Sequence, residues 1–203
     1  MTSSIDTREA WLTEAAAIIL DGIIMPQVYH ADLSRPPVRI TVGWPKGSRG
    51  GAKAVGQCFV RAASTDGVNE IFISPEIDQP LSILPTLVHE LIHALLDCNN
   101  GHRGRFADYA KACGLTGPMT ATSAGVELSV QLAVLADALG PFPHARMDVD
   151  GHRKIAGTRQ LKVSCGHCGF LARTSLQQMV RWSGGDRACP VCSEADLRFP
   201  HGL

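Results

Sequence analysis

"TLVHELIHALLD", residues 86–97, places two histidines four apart, His89 and His93, with Glu90 directly after the first. Leu84, Leu87, Val88, Leu91, Ile92 and Leu95 recur at helical spacing, so the segment reads as a mostly buried helix. Three ionisable groups so close together on such a helix ask for an explanation. At about 100° per residue the two imidazoles project within about 40° of each other, one turn or about 5.4 Å apart. They can converge on one ion. Glu90 points roughly a quarter-turn further round, near that ion without having to ligate it. H-E-x-x-H on a helix is the pattern of two zinc ligands with a glutamate as general base on a water. The competing reading is a pair of hydrogen-bonded histidines at a helix edge, with no metal.

Catalytic zinc takes three protein ligands and leaves one position open. Asp97 continues the row from His89 and His93, but eight helical residues separate it from His89 by about 12 Å, too far to share an ion. His102 is better placed. "CNNG", residues 98–101, ends the helix with Asn and Gly and lets the chain turn back, and His102 opens the next segment, "GHRGRF". Glu127, on a later helix, is the alternative third ligand.

The stretch "LVHELIHALLDCNNGHRGRFADYAKACGL", residues 87–115, resembles the SprT-like metallopeptidases. That family places a third histidine in a G-H-G-x-x-F element after its H-E-x-x-H helix, and His89, Glu90, His93, His102 and Phe106 match position by position. The glycine after the third histidine is Arg103 here, with Gly104 one later. The resemblance implies an α+β, zincin-like metallopeptidase domain, with zinc on His89, His93 and His102, Glu90 as catalytic base and a protein substrate. It also brings DNA into view as a partner.

"CGHC" and "CPVC" set Cys165, Cys168, Cys189 and Cys192 in a C-x2-C-x20-C-x2-C pattern. Each pair supplies two thiolates from a tight knuckle, and four close a tetrahedral site. This is zinc-ribbon spacing, with the metal structural and standing in for a core too small to hold by itself. His167, inside a knuckle, is expected to face solvent. Cys58, Cys98 and Cys113 are isolated in sequence and read as small buried thiols.

The rest of the 203 residues, 45% of them hydrophobic, supports one sizeable core and a small appendage. Residues 1–140 carry 10 Lys/Arg against 14 Asp/Glu, and residues 141–203 carry 9 against 5, so the second part is mildly basic. The expected plan is a metallopeptidase domain over 1–140, a linker rich in Pro, Gly and charge over 141–160, and a ribbon over 161–203. Helices are expected over 5–21, from an N-cap at Ser82 onward, and within 104–114 and 123–140. Strands are expected at "PPVRITVGW", "QCFVRA" and "NEIFISP", and an edge strand near 70–74 would hold an extended substrate. No secretory pattern or membrane-spanning run is found, and the cysteine usage points to the cytoplasm. Six basic residues between Asp32 and Asp66 (Arg35, Arg39, Lys46, Arg49, Lys53 and Arg61), with Lys162, Arg173, Arg181, Arg187 and Trp182, are candidates for nucleic-acid contact. A nucleic-acid-binding zinc protein whose zincin fold is structural or regulatory is therefore the rival reading, and a zinc hydrolase acting on something other than protein is a third. His30, His144, His152 and His201 receive no role.

Overall fold

The structure, a computed structural model, describes residues 5–45, 54–148, 160–175, 177–178, 188–194 and 197–198. Lys46, Arg49, Lys53, His152, Arg181, Trp182, Arg187, His201 and residues 149–159 of the expected linker lie outside the described residues. The chain divides into two compact units, Met1–Gly151 and His152–Leu203.

In the first unit, α1 (Arg8–Ile19) starts at Thr7, whose side chain caps it by accepting from the Ala10 N–H at 3.2 Å. It runs on through a π turn (Leu20–Ile24) and a short 3-10 turn (Met25–Gln27). Three strands follow: β1 (Val38–Val42), β2 (Gly56–Cys58) and β3 (Asn69–Ile73). Then come the histidine helix α2 (Pro80–Leu95) and α3 (Arg105–Ala112), the two-residue strands β4 (Leu115–Thr116) and β5 (Ser123–Ala124), and α4 (Val126–Leu139). The architecture is α+β.

The sheet order is β1-β3-β2, with β1 parallel and β2 antiparallel to β3. The strand at 69–73 is thus central, hydrogen-bonded on both sides, and not the edge strand expected near 70–74. That place belongs to β2. The "QCFVRA" stretch pairs only as far as Cys58 and then folds into a 3-10 turn over Arg61–Ala63. Trp44, the last residue of the expected strand "PPVRITVGW", lies beyond β1 and is 47% exposed.

Helix α2 packs against β2 and β3 and against α1, α3 and α4, which explains why so many of its positions are apolar. Ile83, Leu84, Leu87, Val88, Leu91 and Ile92 are fully buried. It begins at Pro80, not after Ser82, because Gln79 already accepts from Ser82 and Ile83 N–H and Pro80 suits the first helical position. Pro85 then sits inside the helix, where it has no N–H to offer, and Thr86 Oγ1 donates to Ser82 O one turn back at 2.9 Å. The helix ends on two non-glycine residues in the left-handed region, Asp97 (φ 47°) and Cys98 (φ 58°). Hydrogen bonds hold that strain: Asp97 Oδ1 accepts from Arg61 N (2.8 Å) and Asn69 Nδ2 (3.0 Å), and Cys98 N–H donates to His93 O (2.8 Å).

Residues 141–148 also lie on this unit. Phe142 is buried against Trp11, and Met147 N–H donates to Pro75 O at 2.9 Å. Among the described residues no helix is long and apolar enough to cross a membrane.

The second unit is a three-stranded antiparallel sheet, order β7-β6-β8, of β6 (Gln160–Cys165), β7 (Leu171–Ser175) and β8 (Leu197–Arg198). Its buried core among the described residues is Val163, Cys165, Cys189 and Leu197. So small a core needs a further tie.

Candidate metal centre

His89 and His93 stand one turn apart on α2, and the tight turn after that helix returns the chain so that His102, just before α3, faces them. His102 Nε2 lies 3.3 Å from His89 Nε2 and 3.3 Å from His93 Nε2. Phe106, fully buried on α3, floors the cluster: its ring stacks on His93 (centroids 4.1 Å, 22° between planes) and meets His89 and His102 edge-on. Tetrahedral zinc with Zn–N of about 2.0–2.1 Å holds its nitrogens about 3.3–3.4 Å apart. The donor set and its separations fit that ion.

The protonation state fits as well. Burial, and secondarily the neighbouring imidazoles, lower His89 to about 4 and His93 to about 3, and burial lowers His102 too. All three are neutral near pH 7, which is what a metal ligand requires. His89 Nδ1 meets Thr122 Oγ1 at 2.9 Å. With Nδ1 as the donor, the Nε2 lone pair is turned toward the other two rings.

Glu90 is 6% exposed and sits between α2 and β2. Burial pushes its carboxyl up to about 8, the nearby Cys98 thiol adds to the rise, and the Cys58 backbone N–H, hydrogen-bonded to it, opposes. A dication on the three imidazoles would draw it back down. The approach of β2 is close. A Cβ added at Gly56 would stand 2.7 Å from Glu90 Oε1 and 2.6 Å from Thr86 Cγ2, so only glycine fits there.

No family model matches the chain. No curated protein and no solved structure matches it either. The centre is characterised by its own geometry.

A cavity of about 350 Å³ opens over the cluster, bordered by β2, Thr86, Glu90, the three histidines, Cys98 and Thr120–Thr122. Asp97 is turned away toward Arg61 and Asn69, and Glu127 is exposed on α4 outside the cluster. Thr122 and Gly56 carried no mark in the reading of the sequence. A lone glycine beside a short strand was the available signal for the second, whereas Thr122 lies 33 residues from His89 with no pattern linking them.

In the second unit the four cysteines come together. Cys165 Sγ is 3.7 Å from Cys192 Sγ, and Cys168 Sγ is 3.6 Å from Cys189 Sγ. A disulfide needs about 2.05 Å, whereas tetrahedral Zn–S of about 2.3 Å sets sulfurs about 3.8 Å apart. Burial opposes ionisation of Cys189, yet the N–H groups of Cys192 and Val191, together with bonds from the Cys168 and Cys192 thiols, lower that thiol to about 7. The Val191 N–H points at Cys189 Sγ from 3.4 Å, as in a knuckle closed on a thiolate. His167 is exposed and outside the cluster. The two clusters are consistent with two zinc sites, one of three imidazoles and one of four thiolates.

Of the basic residues expected to meet nucleic acid, three among the described ones are engaged with acids. Arg35 pairs with Asp21 (3.2 Å), Arg61 with Asp97 (3.6 Å), and Arg39 with both Asp66 and Glu70.

Proposed function

We propose that the protein is a zinc-dependent endopeptidase of the SprT-like kind, a zincin-type domain joined to a zinc ribbon and working in the reducing cytoplasm that its thiolate cluster needs. The observation that carries this reading is the meeting of three imidazole Nε2 atoms, His102 at 3.3 Å from the other two, with a buried glutamate and the terminal strand of a sheet around one cavity. His89, His93 and His102 would hold the metal, which when bound supplies a Lewis acid for water and carbonyl oxygen. Glu90 takes the proton from the attacking water and returns it to the leaving amine. Its burial keeps that proton from bulk solvent, and the Cys58 N–H orients the carboxylate. β2 borders the cavity and offers backbone groups to an extended chain, which makes side-chain preference loose. In the ribbon, Cys165, Cys168, Cys189 and Cys192 hold a second zinc that ties the sheet together.

One feature favours DNA as a partner. Lys162 and Arg173 are directly opposed on β6 and β7, both exposed. Like charges so placed repel one another, and a phosphate between them would relieve the repulsion.

The test incubates zinc-loaded protein with casein, histone and a protein–DNA crosslink, with and without DNA, beside Glu90→Gln. The variant should keep its zinc and lose at least about 10²-fold in turnover, since a neutral amide accepts no proton. Undiminished cleavage by Glu90→Gln would defeat the mechanism. Retained DNA binding with no cleavage of any protein by wild type would favour the nucleic-acid-binding reading.

A further inference from the structure

Two cysteines whose thiols the proposed chemistry does not use stand in the wall of the histidine cleft. Cys58 closes β2 and Cys98 lies in the turn after α2, elements brought together across 40 residues of chain. Cys98 Sγ donates to the Cys58 carbonyl oxygen at 3.6 Å and the Cys58 thiol to the next carbonyl, Phe59 O, at 3.7 Å, so the two cysteines lie side by side. The side chain of Cys98 owes its direction to the left-handed backbone, which the bond from Cys98 N–H to His93 O maintains. Both thiols are half-buried, and both border the cavity that holds Glu90 and the three histidines, so a small reagent entering the cleft reaches them. Cys113 is different, being buried and far from the cleft lining, and the other four cysteines are gathered on one another.

We propose that Cys58 and Cys98 form a reversible disulfide, with a low-molecular-weight disulfide as oxidant, and that this bond slows hydrolysis in the neighbouring centre. One cysteine thiolate attacks a sulfur of the small disulfide, forming a protein–small-molecule S–S bond and releasing one small thiol. The second cysteine loses its proton and attacks the protein sulfur, forming the Cys58–Cys98 bond and expelling the second small thiol. Two S–H bonds of the protein are exchanged for one S–S bond, and the oxidant takes up the two electrons and two protons. Closing a bond of about 2.05 Å draws the end of β2 onto the turn. β2 has little slack to give, because Gly56 already touches Glu90 and Thr86, and the N–H that orients the Glu90 carboxylate belongs to Cys58 itself. The bond therefore acts on the setting of the general base.

The effect on turnover rests on the peptidase reading; formation of the bond does not. Zinc-loaded full-length protein is equilibrated with oxidised and reduced glutathione, unreacted thiols are alkylated, and the peptides are mapped by mass spectrometry. The expected result is one linked pair, Cys58 with Cys98, at the loss of two hydrogen masses, reversed by dithiothreitol with zinc content unchanged. Casein hydrolysis should fall on the order of tenfold on oxidation and recover on reduction, as follows from a misplaced base. Cys98→Ser should show no such redox dependence. Recovery of both cysteines as free thiols, or each separately carrying glutathione, overturns the disulfide. A mapped disulfide with unchanged turnover overturns its control of the centre. If neither redox state hydrolyses any substrate, the peptidase reading fails, while the peptide map still decides the bond.

Discussion

On the peptidase reading Glu90 presents a conflict that a bound metal would resolve. A general base at neutral pH has to be ionised, yet burial holds this carboxyl up at about 8, against an ordinary 4.5. Between those values the folded metal-free chain binds a proton there that the unfolded chain does not, so Glu90 makes stability fall as pH rises from about 4.5 to about 8. His89 and His93 act oppositely. Their folded values, about 4 and about 3, lie below the ordinary 6.5, so the unfolded chain binds the extra protons and stability is lost as pH falls from about 6.5. Below 6.5 the two histidines outweigh the glutamate; above it the glutamate makes stability fall with pH, while Cys98 and Cys189, whose thiols the fold holds below their ordinary value, act in the opposite sense. With those two cysteines replaced by serine, metal-free protein should be most stable near pH 6.5. Urea denaturation across pH 5 to 8.5 should show that maximum, and Glu90→Gln should lose the alkaline decline while keeping the acid one. An alkaline limb identical in metal-free wild type and Glu90→Gln would contradict the burial of an uncompensated carboxyl. The third ligand is tested at the same scale. His102→Ala removes the nitrogen that stands 3.3 Å from both partners and should abolish tight zinc binding to the cluster. Glu127→Gln, exposed on α4, should leave zinc bound. Isothermal titration of zinc into each variant, in a background lacking the four ribbon cysteines, reads the difference, and release by Glu127→Gln alone would move the centre to a glutamate-type zincin.

At the level of elements, the proposed function leaves it to β2 how the centre would meet a substrate. Gly56→Ala would drive a Cβ to 2.6 Å from Thr86 Cγ2 and 2.7 Å from Glu90 Oε1, and α2 is too tightly packed to give way. The expected cost is about 1–3 kcal/mol of stability. On the peptidase reading turnover should fall further than the melting temperature suggests, because the displaced atom belongs to the proposed base; Gly22→Ala, with nothing near its side-chain position and no left-handed backbone, should leave turnover intact. The same strand marks how far the sequence could be read. His89, Glu90 and His93 were legible because helix periodicity fixes their relative directions locally, and the cysteine knuckles because their spacing is set by turns of a few residues. His102 followed from a helix end that Asn and Gly signal, although Asp97 and Cys98 are the residues that turn. Strand order was not legible. Which of two short apolar runs lies at the edge depends on long-range pairing, and local alternation says the same of a central strand as of an edge one. Thr122 was hidden for the same reason, since nothing local ties a loop threonine to the ring it holds.

The whole molecule contains two clusters that resemble each other only in being able to hold zinc. The histidine cluster lines an open cavity, and its scaffold is a large apolar core from α1, α2, α3, α4 and the sheet, which by its size should hold without metal. Among the described residues the cysteine cluster supplies two of the four buried residues of its own core, so a metal held there would be coupled to the folding of the unit. Their lability should differ accordingly. Purified protein should carry about two zinc ions. Increasing chelator should remove the first ion from the three-histidine centre, with its open fourth position, and abolish hydrolysis while the circular dichroism of the larger unit persists. The second ion should leave only at higher chelator concentration or with thiol-reactive reagents, and its loss should unfold residues of the smaller unit without changing the histidine centre's affinity in titration. Cys165→Ser/Cys168→Ser should carry one zinc and retain activity on a small peptide substrate. If wild type and that variant both hold one zinc, the four thiolates hold none, and the smaller unit must owe its order to something other than a metal.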